Sequence, residues 1–493
     1  MRPHFLTPAL LLLAACSDTL PPRPPPSDSF AYPSALVHRP AAGGPGTLYV
    51  ASSNFDKLYD YGAVLAVNLN SVAAGGVLNE PLPTFGEPPR TPVPEIGLNV
   101  PPGSQVYVRS ITGDMALYQP EAGGAPYLFV PSRSEDDLLQ VVQASGAELR
   151  CVGTDSNKCF ERAFSLTEAF NSPDGQPGAP APFGIAVGQR PNLPADLWVT
   201  HVASSLKREG DDREQTASTY VVRTGAQAIV DGLSDPRRSS PLQLPASDFV
   251  RLTTFGDQSG LAGGHAVALG PDFAFLSGRV VTSGQGGGGV PPFLLRALSR
   301  DNPSLALDPN LRAAYPDIEA RGLALNEGGT RLYMAGRAAG STLLVMNVVS
   351  SPTSLGVSIV RAIDTLPPGA SALKVLSRGP NRGDLVVITC SAAGVLAIYD
   401  DEVGDIVAQV PDLGEQPYAL AVEPQSRPSG PPEAPVTTLG ARVYAANFGD
   451  GQVSVVDIPN LDNPQTARLV ARLGGVQRCA PGDTDEACPE NSL

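Results

Sequence analysis

The 493-residue chain is poor in the side chains that usually carry catalysis. It has four histidines, His4, His38, His201 and His265, and no H-E-x-x-H pair, G-x-S-x-G elbow or phosphate-cradling Gly-Lys loop. GQGGGG (284–289) is Gly-rich, but no Lys and no helical pattern follow it, so it reads as a turn. Runs of Lys or Arg are also missing, and the net charge is −15. Phosphate backbones need a basic patch, so nucleic acid is not the expected partner. KREGDDREQ (207–215) mixes both signs and reads as a solvated loop tip. After the first 15 residues no apolar stretch approaches the roughly 20 residues that a membrane-spanning helix needs. Long amphipathic helical patterns are scarce, and ERAFSLTEAF (161–170) is the best candidate.

Turn residues, by contrast, are abundant. The 51 glycines and 51 prolines make up about a fifth of a chain that is 42 % apolar. That describes a turn-rich β core, short of the roughly 25–30 % Pro plus Gly at which chains become disordered. RVYAANFGDGQVSVVDI (442–458) is a strand, a Gly/Asp turn and a second strand. It follows QPYALAVEP (416–424), whose small–apolar–Ala–apolar tetrad recurs at 114–117, 184–187, 266–269 and 322–325. Ala372-Leu373-Lys374-Val375 departs at its third place, and SALV (34–37) is a weaker first copy.

A pair of strands follows each tetrad, as in TLYVASS/AVLAVNL, YLFVPSR/DLLQVVQA and RLYMAGR/STLLVMNV. A less regular fourth segment often comes next, such as DIVAQVPDL (405–413) or ARLVARLGG (467–475). A four-stranded sheet cannot bury both faces alone, but sheets stacked radially cover one another. The reading is all-β: a seven-bladed β-propeller of four-stranded antiparallel blades over residues 31–476, with six or eight blades as the alternatives. Tetrad spacing puts insertions in the first three blades, and stretches such as LPTFGEPPRTPVPEIG (82–97) read as surface loops.

PYALAVEP…RVYAANFGDGQVSVVDIPN is similar to the YVTN-type repeat of bacterial seven-bladed propellers, the surface-layer and lactonase-like proteins. The match is good in the seventh copy, fair in the fifth and degenerate in the first four. With Trp198 as the single tryptophan, WD40 and kelch patterns fit poorly. The resemblance implies a non-enzymatic module that binds a protein or a polar small molecule. Its alternative is a lactonase-like or quinoprotein-like enzyme. No cofactor is called for, and a metal ion stays open.

Residues 1–15 are a short positive start and an apolar run, which reads as a signal peptide. They end in Leu13-Ala14-Ala15-Cys16, which resembles the lipobox of bacterial lipoproteins. The resemblance implies an acylated Cys16 as the mature N-terminus, membrane lipid as a partner and a place in the cell envelope, on the periplasmic side of a membrane or at the surface. Residues 16–30, rich in proline, read as a tether, and 477–493 as a polar tail. Export implies oxidising conditions, so Cys151 with Cys159 and Cys479 with Cys488 are expected to close two small loops. Neither loop has the spacing of a calcium site. Cys390, in the apolar run LVVITC, reads as a buried free thiol.

In an up-and-down blade with strands a to d, the b–c turns and d–a crossovers share one face. The residue before each tetrad enters the innermost strand from that face. Gly113, Phe183, His265, Arg321, Ser371 and Tyr418 are therefore expected around the mouth of the central tunnel. Phe183, His265, Arg321 and Tyr418 form the candidate ligand site.

Overall fold

The structure is a computed structural model that describes residues 23–74, 80–98, 100–121, 123–133, 136–166, 181–202, 220–251, 264–278, 294–303, 306–307, 319–337, 340–379, 381–429 and 436–474. Cys16 with the signal peptide, Cys479, Cys488 and the tail, and the 207–215 and 284–289 loops lie outside the described residues.

Seven antiparallel sheets form a ring, each sheet running outward from an innermost strand a. The seven a strands are Pro33–Ala41, Ala116–Tyr118, Pro182–Arg190, Gly264–Leu269, Glu319–Leu325, Ala370–Leu376 and Pro417–Ser429. They stand side by side around the axis, and the first packs on the seventh to close the ring. The protein is a seven-bladed β-propeller. Its b strands are sandwiched between neighbouring blades, so they have no solvent face and lose the usual alternation. Leu385–Cys390 is buried at every residue, Cys390 included. The outermost strand of the same blade, Asp405–Val410, buries only Val410 fully.

The insertions of blades 1 to 3 are more than surface loops. All three lie between strands c and d, and each reaches back to the outermost strand of the preceding blade. From blade 1, Glu95–Ile96 pairs in parallel with Arg468–Leu473 of blade 7. From blade 3, Leu242–Gln243 pairs in parallel with Phe164–Ser165 of blade 2. From blade 2, Lys158 bridges in parallel to Tyr107 on the outer strand of blade 1. Leu82 and Ile96 are buried in the core between blades 7 and 1, which is why this Pro-rich strap, residues 82–97, is held in place.

Two further expectations differ. The 161–170 segment is not a helix where it is described: Cys159–Glu161 is a 3-10 turn and Phe164–Ser165 is strand d of blade 2. A few residues beside an open sheet edge gain more from pairing than from nucleating a helix. The helix in this region is α2, after α1 (Leu69–Ala73) of blade 1; α2 spans Ala226–Ser234, with Ile229, Val230 and Leu233 turned into the core. The other difference is at the tether, whose last part packs on blade 1. Phe30 is fully buried, and the Arg23 amide donates to Asp60 at 2.7 Å.

Candidate functional site

Six of the seven a strands are irregular at the same place, just inside the b–c face. The ladder slips between Pro33 and Ala35, Pro182 and Ile185, Gly264 and Val267, Ala320 and Gly322, Ala370 and Leu373, and Pro417 and Ala419. A bulge places an extra residue outside the pairing and re-aims its side chain. Here the extra residues include Ser34, Phe183, His265, Arg321, Ser371 and Tyr418. The amides freed by three of the bulges are satisfied from strand b: Thr200, Ser277 and Thr389 hydroxyls accept from Gly184, Ala266 and Ala372 at 3.0, 2.8 and 3.1 Å.

Phe183, His265, Arg321, Ser371 and Tyr418 thereby line one central cavity of about 130 Å³, together with the tetrads below them. Phe183 packs on His265 with ring centres 4.4 Å apart and meets Tyr418 edge-on at 6.3 Å. Gly113 is also in the ring but contributes closeness rather than a side chain: a Cβ there would sit 2.3 Å from the Phe183 carbonyl oxygen.

His265 and Arg321 act as a unit. An Arg321 guanidinium nitrogen lies 2.8 Å from His265 Nε2, and His265 Nδ1 lies 3.2 Å from the Arg321 carbonyl oxygen. A guanidinium only donates, so Nε2 accepts and the ring proton sits on Nδ1, donated to the carbonyl. His265 is thus a neutral clamp that aims Arg321, whose other face meets Glu319 at 3.1 Å. Burial pushes the Tyr418 phenol up to about 12, against the pull of Arg321, Arg133 and Arg337, so it stays a hydrogen-bond donor.

Below the mouth, two tetrads break the small-residue rule with charges. Asp114 stands where the other full copies have Gly or Ala, and Lys374 stands where they have Ala. Both line the bore. Asp114 is half-buried on the bore and walled by protein, and this desolvation pushes its carboxyl up to about 6, with Lys374 pulling the other way.

A second ring was not anticipated. At the b–c ends of the b strands, Arg133 and Arg337 are the last residues of theirs, and Ser53, Ser391 and Phe448 each stand one residue beyond. With Phe55, Phe183 and Tyr418 they line a chamber of about 410 Å³ that opens to the b–c face. The signal was present: YLFVPSR and RLYMAGR both end in Arg at this place. The larger cleft, about 960 Å³, lies on the rim between the blade 1 strap and blades 6 and 7. Its charges come in both signs, Arg90 pairing with Glu80 at 3.3 Å, and no functional group converges there.

His201 is buried on strand b of blade 3 and is not among the residues lining the tunnel. Among the described residues, no group of three or more His, Cys, Asp and Glu is gathered as a metal would require. Cys151 and Cys159 are joined, with Cα atoms 4.8 Å apart, at the base of the loop that carries Lys158. No helix among the described residues is long and apolar enough to cross a membrane.

No family model matches the chain, and no curated protein does. Among solved structures the chain is similar to Kuenenia stuttgartiensis hydrazine synthase, at 10 % identity over 87 % of this chain and 96 % of that one, with a TM-score of 0.49. It is similar to the periplasmic gluconolactonase PpgL of Pseudomonas aeruginosa, at 15 % identity over 76 % and 84 % of the two chains, with a TM-score of 0.43. Citrobacter koseri AztD matches at 12 % identity over 90 % and 91 %, with a TM-score of 0.37. Likeness at this level concerns the fold alone.

Proposed function

We propose that this chain is a lipid-anchored propeller of the bacterial cell envelope that binds a polar ligand, or a polar side chain of a partner protein, at its tunnel mouth without transforming it. One observation carries the binding reading: six bulges in six blades turn their extra residues toward one opening, and an aimed arginine, a phenol donor and an aromatic wall meet there. The anchor rests on the Leu13-Ala14-Ala15-Cys16 sequence, and the Cys151–Cys159 bridge suits an exported protein. With residues 23–30 packed beside the Asp60 turn, only 17–22 would separate Cys16 from the b–c face, at most roughly 25 Å of chain. The mouth would then lie close to the membrane surface.

The anchor is tested by mass spectrometry of the membrane-extracted protein, which should show an acylated Cys16 as its first residue. The binding reading is tested by thermal shift and calorimetry against organic acids, amino acids, sugars and lactones, each lactone also assayed for turnover. At least one compound should bind the native protein and lose most of its affinity in Arg321→Ala. Hydrolysis of a lactone, abolished by the same substitution, would replace this reading with an enzymatic one.

A further inference from the structure

We infer that the ligand of the mouth is an anion carrying a flat apolar ring, of the aromatic carboxylate class, held by Arg133 and Arg337. This deepens the binding reading above and rests on it.

The chamber outside the bulge ring has two kinds of wall. One is aromatic and continuous: Phe55 meets Phe448 at 5.5 Å, Phe448 meets Tyr418 at 5.8 Å, and Tyr418 meets Phe183 at 6.3 Å. Phe55 is 50 % exposed, a large apolar ring left at the opening of a chamber rather than in the core. The other wall is cationic. Arg133 and Arg337 occupy the same b-strand place in blades 2 and 5, and Arg133 lies over the Phe183 ring at 5.2 Å. Guanidinium planes match carboxylates through paired N–H groups, and Tyr418 adds a neutral donor beside them.

Size and charge narrow the class further. About 410 Å³ falls within the range of small-molecule sites, whereas the bore beneath, about 130 Å³, admits no more than a small group. The ring of the ligand therefore stays in the chamber. A net charge of −15 repels anions at long range, so arginines gathered at this opening oppose the field of the whole protein. A neutral sugar would use the aromatic wall and gain little from the arginines. A short anion would use the arginines and leave the wall bare.

Calorimetry on the full mature chain with indole-3-acetate, indole-3-acetamide and acetate separates these cases. The expected result is binding of indole-3-acetate, with the amide and acetate each weaker by about tenfold or more, since a charged hydrogen bond or a stacked ring is worth at least that. Arg133→Met and Arg337→Met should each cost the acid about tenfold and leave the amide unchanged. Phe448→Ala should weaken acid and amide alike. Melting curves check that the variants fold, and the acid–amide comparison on the native chain needs no variant. Equal affinity for acid and amide, or arginine variants that bind the acid as the native protein does, would overturn the inference. If some other compound is held through Arg321 while no aromatic acid binds, this inference fails and the mouth reading stands. If Arg321→Ala, Arg133→Met and Arg337→Met all leave the binding of every compound unchanged, both fail.

Discussion

Replacing Asp114 by Asn tests whether the walls of the bore desolvate this carboxyl as their geometry implies. The folded protein keeps the Asp114 proton up to about pH 6, whereas the unfolded chain gives it up near 3.8. Between those values the native state binds more protons than the unfolded one, so stability falls as pH rises through this window. Above it the full cost of a desolvated carboxylate is present. A rise of this size corresponds to roughly 3 kcal/mol, and because Asp114 is only half-buried, solvent screening should leave ~1–2 kcal/mol. Asn has nearly the same shape and no charge to desolvate. Asp114→Asn should therefore be more stable than the native protein by ~1–2 kcal/mol at pH 8. The gain should shrink at pH 5 and vanish by pH 3. Urea unfolding at the three pH values measures it, and the carboxylates common to both proteins cancel in the difference. A variant no more stable at pH 8, or one whose advantage does not change with pH, would refute the account of the bore. An anion at the mouth should also bind Asp114→Asn more tightly at pH 8, because a carboxylate beneath it has gone.

Three other variants probe the ring. Arg442 and Asp457 are buried in blade 7 and paired at 2.7 Å, and the strap completes them, with Gly86 N–H donating to Asp457 and Arg442 donating to the Pro83 carbonyl. Asp457→Ala strands the arginine and should cost about 3–5 kcal/mol in denaturant unfolding; a loss under ~1 kcal/mol would mean that the pair is not desolvated. Ile96→Asp places a charge in the core between blades 7 and 1 and should lower the melting temperature by several degrees or more; an unchanged melt would show the strap to be detached. Cys151→Ser with Cys159→Ser opens a short loop and should cost about 2–3 kcal/mol, matched by adding reductant to the native protein.

The sequence carried the architecture because a propeller repeats itself. Five of the tetrads fall within innermost strands as quoted, and even the degenerate SALV falls within Pro33–Ala41. The mouth residues were legible for the same reason, since a fixed offset from a repeated motif fixes a place on the ring. What turns them inward was not legible. A bulge depends on which residues of two strands pair, and Phe183 or Tyr418 looks the same in sequence whether paired or extruded. The second ring could have been found by aligning the b strands, where Arg133 and Arg337 coincide. The strap could not, because 82–97 is Pro-rich and polar enough to pass for a loop. Its partners lie hundreds of residues away, as with Arg468 donating to the Glu87 carbonyl across 381 positions.

That separation has a consequence for how the ring is assembled. A chain that forms blade 1 as it emerges holds Ile96 and its neighbours with nothing to pair against. Their partner strand, Arg468–Leu473, is the last of the described chain to appear. The rim seam between the first and last blades therefore closes late, and closing it bears the loop entropy of nearly the whole protein. The links from blade 2 to blade 1 and from blade 3 to blade 2 carry no such delay, because each can form as soon as its own blade does. The order of events is thus built into the backbone: three blades fastened in succession, four added behind them, and a final clasp in which the oldest part of the chain grips the newest.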